Sequence, residues 1–223
     1  MHIEPGLISP EKLLLAQATA AAAGAITVKY AIDTLRERGP LSLLTRSAAT
    51  TAAVFCFFQV LPHHAVGISE VHLILGSTLL LVFGTAPAAI GLALGLLLQG
   101  LLFAPFDLPQ YFANVTTLLV PLLAIKFVAD RIIRPDTAYV DLRYGQALAL
   151  SATYQGGVVA WVAFWALYGQ GFGAENLTSV ASFGAAYMLV VLVEPLIDLA
   201  VLAGAKLVRG LDRTGLVTPR LFN

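Results

Sequence analysis

Apolar runs, broken by short stretches rich in Gly, Pro and polar residues, divide the chain into seven segments. They fall at residues 12–32, 41–61, 71–83, 88–103, 112–133, 145–168 and 180–208. Backbone exposed to lipid must satisfy its own hydrogen bonds, so such runs read as helices. An upright crossing of a bilayer takes about 20 residues. The segment 71–83 is too short for that and is expected to tilt or to be shielded by its neighbours. Gly84-Thr85-Ala86-Pro87 separates it from the fourth segment as a turn. The pattern predicts an all-α integral membrane protein. It is a compact bundle of about seven transmembrane helices, with residues 1–223 forming one membrane domain.

Composition agrees. The 223 residues are 58% hydrophobic and only 12% charged, against about 25% charged in a soluble domain. Net charge is zero, so no overall field draws nucleic acid. The basic residues are unevenly spread. With the N-terminus outside, the loops that follow segments two, four and six contain no Lys or Arg. Every basic residue except Lys12 then falls in a cytoplasmic loop, near an inner helix end or in the tail, as the positive-inside rule requires. The expected topology is N-terminus outside, C-terminus cytoplasmic. No basic residue precedes Lys12, so no cleavable signal peptide is expected. Met1 is expected to persist, because His2 is too bulky for its removal. Cys56 is the single cysteine; it excludes an internal disulfide and reads as a small buried hydrophobe.

This orientation collects His2, His63, His64 and His72 on one outer face. A free N-terminus followed by histidine is a compact chelator. The Met1 amine, the His2 backbone nitrogen and His2 Nδ1 close two adjoining rings around one ion and leave a fourth corner open. Planar nitrogen coordination points to Ni(II) or Cu(II), with Co(II) a further occupant. His72, at the outer start of the third segment, is the natural fourth ligand, since an imidazole entering an apolar segment needs a partner. His63 and His64 are adjacent on a loop and chelate poorly together; they read either as solvated or as a landing site for metal. Glu70 and Asp107 add negative potential. Asn114 reads either as a hydrogen-bond support for a ligand imidazole or as a backbone partner.

Ala16, Ala20 and Gly24 recur at spacing four in the first segment. Small residues so spaced let helices approach closely in lipid, either within the chain or as a docking face for another membrane subunit. Glu194 and Asp198 lie one turn apart deep in the last segment. Pairing with Lys29 or Lys126 and a proton path are the two readings, of which pairing is preferred. No phosphate-binding glycine loop of the Walker type occurs, so the chain is not expected to hydrolyse ATP.

Several of these residues resemble a known family. Met1-His2-Ile3 with Gly6 behind it, the Ser69-Val71-His72 pattern, the stretch from Leu96 to Phe103 around Gln99, and Ala113-Asn114 with Thr116 are similar to the CbiM/NikM substrate-binding components of cobalt and nickel energy-coupling-factor transporters. The likeness covers roughly residues 1–123. The family's second asparagine falls at Thr117. The resemblance implies a seven-helix component that captures Ni(II) or Co(II) as its transported substrate, with no organic cofactor. It implies Met1, His2 and His72 as ligands and Ala16, Ala20 and Gly24 as the docking face. It also implies a transmembrane coupling subunit and cytoplasmic ATPase subunits as partners, in a bacterial or archaeal cell (inner) membrane. The competing readings are a self-sufficient proton-coupled divalent metal permease, with Glu194 and Asp198 as relay groups, and an intramembrane metalloenzyme. The latter lacks a His-Glu-x-x-His motif and a base near the outer histidines.

Overall fold

The computed structural model describes residue 3 and residues 6–208 and 210–222. Its elements, in order, are α1 (Leu13–Gln59), a hairpin of β1 (His64–Val66) and β2 (Ser69–Val71), α2 (Gly76–Phe83), α3 (Thr85–Leu102), α4 (Tyr111–Ile132), α5 (Tyr144–Gln170), α6 (Ala174–Met188) and α7 (Glu194–Leu207). Among the described residues, five helical stretches are long and apolar enough to cross a membrane. They are Pro10–Gln59, Thr85–Leu102, Pro105–Ile132, Tyr144–Gln170 and Ala174–Leu207. The protein is therefore an all-α membrane protein.

The first two expected segments are the two arms of α1. At Gly39 the backbone takes φ 76° and ψ 173°, and Pro40 follows. Only glycine adopts such a φ without strain, and Pro40 removes the amide that would continue the ladder. The helix doubles back there. Ala16 on the first arm and Phe58 on the second both end up beside the hairpin, in contact with Ile3 and His72 respectively.

The third segment departs most from expectation. Residues 64–71 are spent on the hairpin, and helix begins only at Gly76, after Leu75 turns through φ 56°. The eight residues of α2 cover about 12 Å at 1.5 Å per residue, well short of a bilayer core. Neighbours enclose them instead, and residues 76–81 are all buried. The last segment is broken as well, by a 3₁₀ stretch at Leu189–Leu192 and by Pro195.

The bundle closes tightly where α3 crosses the second arm of α1. A Cβ on Gly91 would stand 2.3 Å from Thr50 Oγ1, and one on Gly95 2.6 Å from Val54. Two glycines four apart give the backbone-to-backbone approach favoured between helices in lipid, and Thr50 Oγ1 donates to the Pro87 carbonyl at 2.7 Å. Outward faces carry Leu14, Ile26, Leu44, Leu98, Phe127 and Leu196, all exposed, as a lipid-facing surface requires. Cys56 belongs to that surface. It is exposed rather than buried, because the buried stripe of this arm runs through Thr50, Val54 and Phe58.

Candidate metal centre

The hairpin register builds one end of the bundle. His64 pairs with Val71, Ala65 with Glu70 and Val66 with Ser69. The turn needs glycine at position 67, where φ is 61° and a Cβ would meet the Ser179 carbonyl at 2.4 Å. One step past the last pair, the same register sets His63 opposite His72. Their rings stack with centroids 4.9 Å apart and planes 13° apart. Side chains alternate along a strand, so His64 turns away and is exposed. Nothing in the local residue pattern separates His63 from His64; the pleat does.

His72 is 1% exposed. Phe58 presents its ring edge-on, 5.2 Å between centroids. Nε2 of His72 lies 2.9 Å from the Glu70 carboxylate. An ionised carboxylate only accepts, so a neutral His72 ring facing it carries its proton on Nε2 and its lone pair on Nδ1. Glu70, which the sequence suggests as a source of negative potential and as a support or entry candidate, thus touches the imidazole of the candidate ligand directly.

Met1 and His2 lie outside the described residues. Their neighbour Ile3 does not. It forms an isolated antiparallel bridge with Ser69 of β2. Its amide donates to Asn114 Oδ1 at 2.9 Å. Its side chain is fully buried with Ile8, Ala16, Ala113 and Trp165. Beyond it the chain is strapped to the end of α5: Gln170 donates to the carbonyls of Gly6 and Leu7, and Lys12 Nζ to that of Tyr168 at 2.6 Å. Asn114 therefore supports the backbone of Ile3. Asp107 and Gln110, both buried, flank it from the Pro105–Gln110 turn, and a cavity of about 10 Å³ lies between Asp107 and Asn114. The chain pattern carried no signal for Gln110, a lone polar residue in a loop.

Of the three small residues on α1, Ala16 is buried in the chain's own interior, Ala20 is half-buried, and Gly24 opens onto free space. The fully exposed small residues of this arm are Ala18, Ala21, Ala22 and Ala25. Glu194 and Asp198 do not pair with lysine. Lys126 bonds Asp130 on its own helix and Lys29 is exposed. Glu194 instead accepts from Ser151 and Gln155, and Asp198 from Thr78. Lysines at the helix ends cannot reach carboxylates held this deep. Among the described residues, no group of three or more His, Cys, Asp and Glu converges on a point.

A shielded imidazole with a carboxylate on one ring nitrogen, close to an anchored Ile3 near the N-terminus, is suited to binding a cation. A family model described as the cobalt uptake substrate-specific transmembrane region matches residues 2–209. The chain belongs to this family. As a member it is a membrane component for transition-metal uptake, and not in itself an enzyme. A solved structure described as a truncated transition metal transporter is similar in fold, with a TM-score of 0.66 and 18% identity, over 92% of this chain and 98% of that one. No curated protein matches the chain in sequence.

Proposed function

We propose that the chain is the substrate-capturing component of an energy-coupling-factor importer for Ni(II) or Co(II). The metal is held by the Met1 amine, the backbone and imidazole nitrogens of His2, and Nδ1 of His72. The observation that carries this reading is the anchorage of Ile3. Ile3, bridged to Ser69 and bonded to Asn114, directly follows Met1 and His2 in the chain, and His72 stands three positions along from Ser69. Glu70 then orients the ligand imidazole from behind, as carboxylates do at histidine-bound metals. His63, stacked on His72, covers the site and offers a landing imidazole, with His64 at the entry.

In this reading the hairpin end faces outward and the C-terminal tail is cytoplasmic. Support comes from the cations at the far end: Arg46 on the Phe83 carbonyl, Arg220 on Asp130 and Lys206 on Asp141. The chain works in a bacterial or archaeal cell membrane as one domain of residues 1–223. A transmembrane coupling subunit docks against the small-residue side of α1 around Ala20 and Gly24. Cytoplasmic ATPases supply the energy.

The test is metal content and Ni(II) affinity of the purified chain. Adding residues before Met1, or changing His2 or His72 to alanine, should abolish tight binding; His63→Ala should weaken it less. An N-terminally extended chain that holds Ni(II) as tightly as the parent would refute the chelate.

A further inference from the structure

Glu194 and Asp198 face each other across one turn of α7, both fully buried. Among the described residues, no Lys, Arg or His lies within ion-pair distance of either. Two buried carboxylates with no counter-charge are costly in a membrane interior and mark sites that handle a cation. One oxygen of each is already engaged. Glu194 Oε2 accepts from Ser151 Oγ and Gln155 Nε2, both at 2.6 Å, and Asp198 Oδ1 from Thr78 Oγ1.

The other oxygens are left over. Glu194 Oε1, Asp198 Oδ2, Gln155 Oε1, Tyr154 Oη and Tyr187 Oη are all buried and lack a hydrogen-bond partner among the described residues, and the Ser77 hydroxyl lies beside Asp198. A single orphan of this kind calls for an explanation. Here five belong to one cluster. Both phenols interact electrostatically with Glu194 and with each other, Glu194 with Asp198, and Ser77 with Asp198. They converge from α2, α5, α6 and α7. All are oxygen, the donor set of hard cations. Oxygens about 2.3–2.6 Å from a shared cation stand up to about 5 Å apart across it, too far to bond each other and near enough to share the ion. Two carboxylates also match the charge of one divalent ion. Mg(II) gives up its water reluctantly and suits a dry cluster less than a larger ion.

We propose that Glu194 and Asp198, with Ser77, Tyr154, Gln155 and Tyr187, form an oxygen-only site for a hard divalent cation of the Ca(II) or Mn(II) class. The ion pins α2 to α5, α6 and α7. It thereby fixes the short helix that begins four residues after His72, and it is separate from the nitrogen site at the N-terminus.

The test uses the full chain in lipid nanodiscs, stripped with chelator and titrated with Mn(II). Bound ion is read from the loss of the free Mn(II) electron-spin signal, and stability from thermal unfolding. One Mn(II) should bind per chain, Ca(II) should compete for it, and the unfolding temperature should rise on binding. His72→Ala should keep all of this, whatever it does to Ni(II). The Glu194→Gln/Asp198→Asn double variant should lose Mn(II) binding while keeping Ni(II) binding, which also reports that it folds. If the double variant does not fold, Glu194→Gln alone should weaken Mn(II) and spare Ni(II). The proposal is overturned if the parent binds no Mn(II), if binding survives in the amide variants, or if binding depends on His72. It is overturned equally by an infrared band of protonated carboxyl groups that persists in saturating Ca(II), since protons would then be the neutralising cations.

Discussion

The amide of Ile3 gives the sharpest lever on the metal centre. Asn114 is 2% exposed and its Oδ1 accepts that amide at 2.9 Å. Asn114→Ala removes the acceptor and leaves a buried N–H with nothing to bond. Such an orphan costs about 1–3 kcal/mol. A second effect adds to it: the bond and the bridge to Ser69 together hold Ile3, the residue that follows the proposed chelate. If Ile3 detaches when the bond is lost, the cost falls on metal capture, because the free terminus must be reordered by the ion. At about 1.4 kcal/mol per tenfold change, Ni(II) affinity drops roughly five- to hundredfold. Should Ile3 stay in place, the same cost appears as lower thermal stability of metal-free and metal-bound protein alike. Calorimetric titration and thermal unfolding on one sample separate the two, and attachment of the terminus predicts the first. The Thr116 hydroxyl, bonded to Trp161 Nε1, supplies a control: Thr116→Ala disturbs a neighbouring polar contact without touching Ile3 and should leave affinity near the parent. The reasoning fails if Asn114→Ala binds Ni(II) as tightly as the parent and unfolds at the same temperature.

Two further perturbations probe separate links. Glu70→Gln keeps a side chain of the same shape but weakens the bond that orients His72; loss of such a support commonly costs about 10–100-fold in metal affinity, readable in the same titration with the unfolding temperature barely changed. Gly91→Ala puts a methyl group against Thr50 and its backbone and should destabilise the bundle by about 1–3 kcal/mol through overpacking, lowering the unfolding temperature in nanodiscs while Ni(II) affinity in the folded fraction holds.

Sequence alone determined the class of protein and the chemistry on offer. Apolar run length and the scarcity of charge require a helical membrane bundle, since lipid leaves backbone no other partner. The residue types at positions 1, 2 and 72 likewise offer the nitrogen donors on which the proposed site rests. Where Gly39-Pro40 and Gly84 stand, the chain breaks as its local chemistry dictates. Long-range pairing was invisible by contrast. Nothing near His63 in sequence says that a two-residue turn at Gly67-Ile68 will fold it back onto the ring of His72. Nothing near Ile3 says that an asparagine 111 positions away will take its amide. Lysine pairing is the preferred sequence reading for Glu194 and Asp198 because charge complementarity can be read along a chain, whereas depth cannot. Only packing showed that the lysines stop at the helix ends while the carboxylates stay inside among hydroxyls. Local rules thus fix which segments form and which atoms are available. Tertiary structure fixes which of those atoms meet, because that depends on how the helices cross and on how far each side chain reaches.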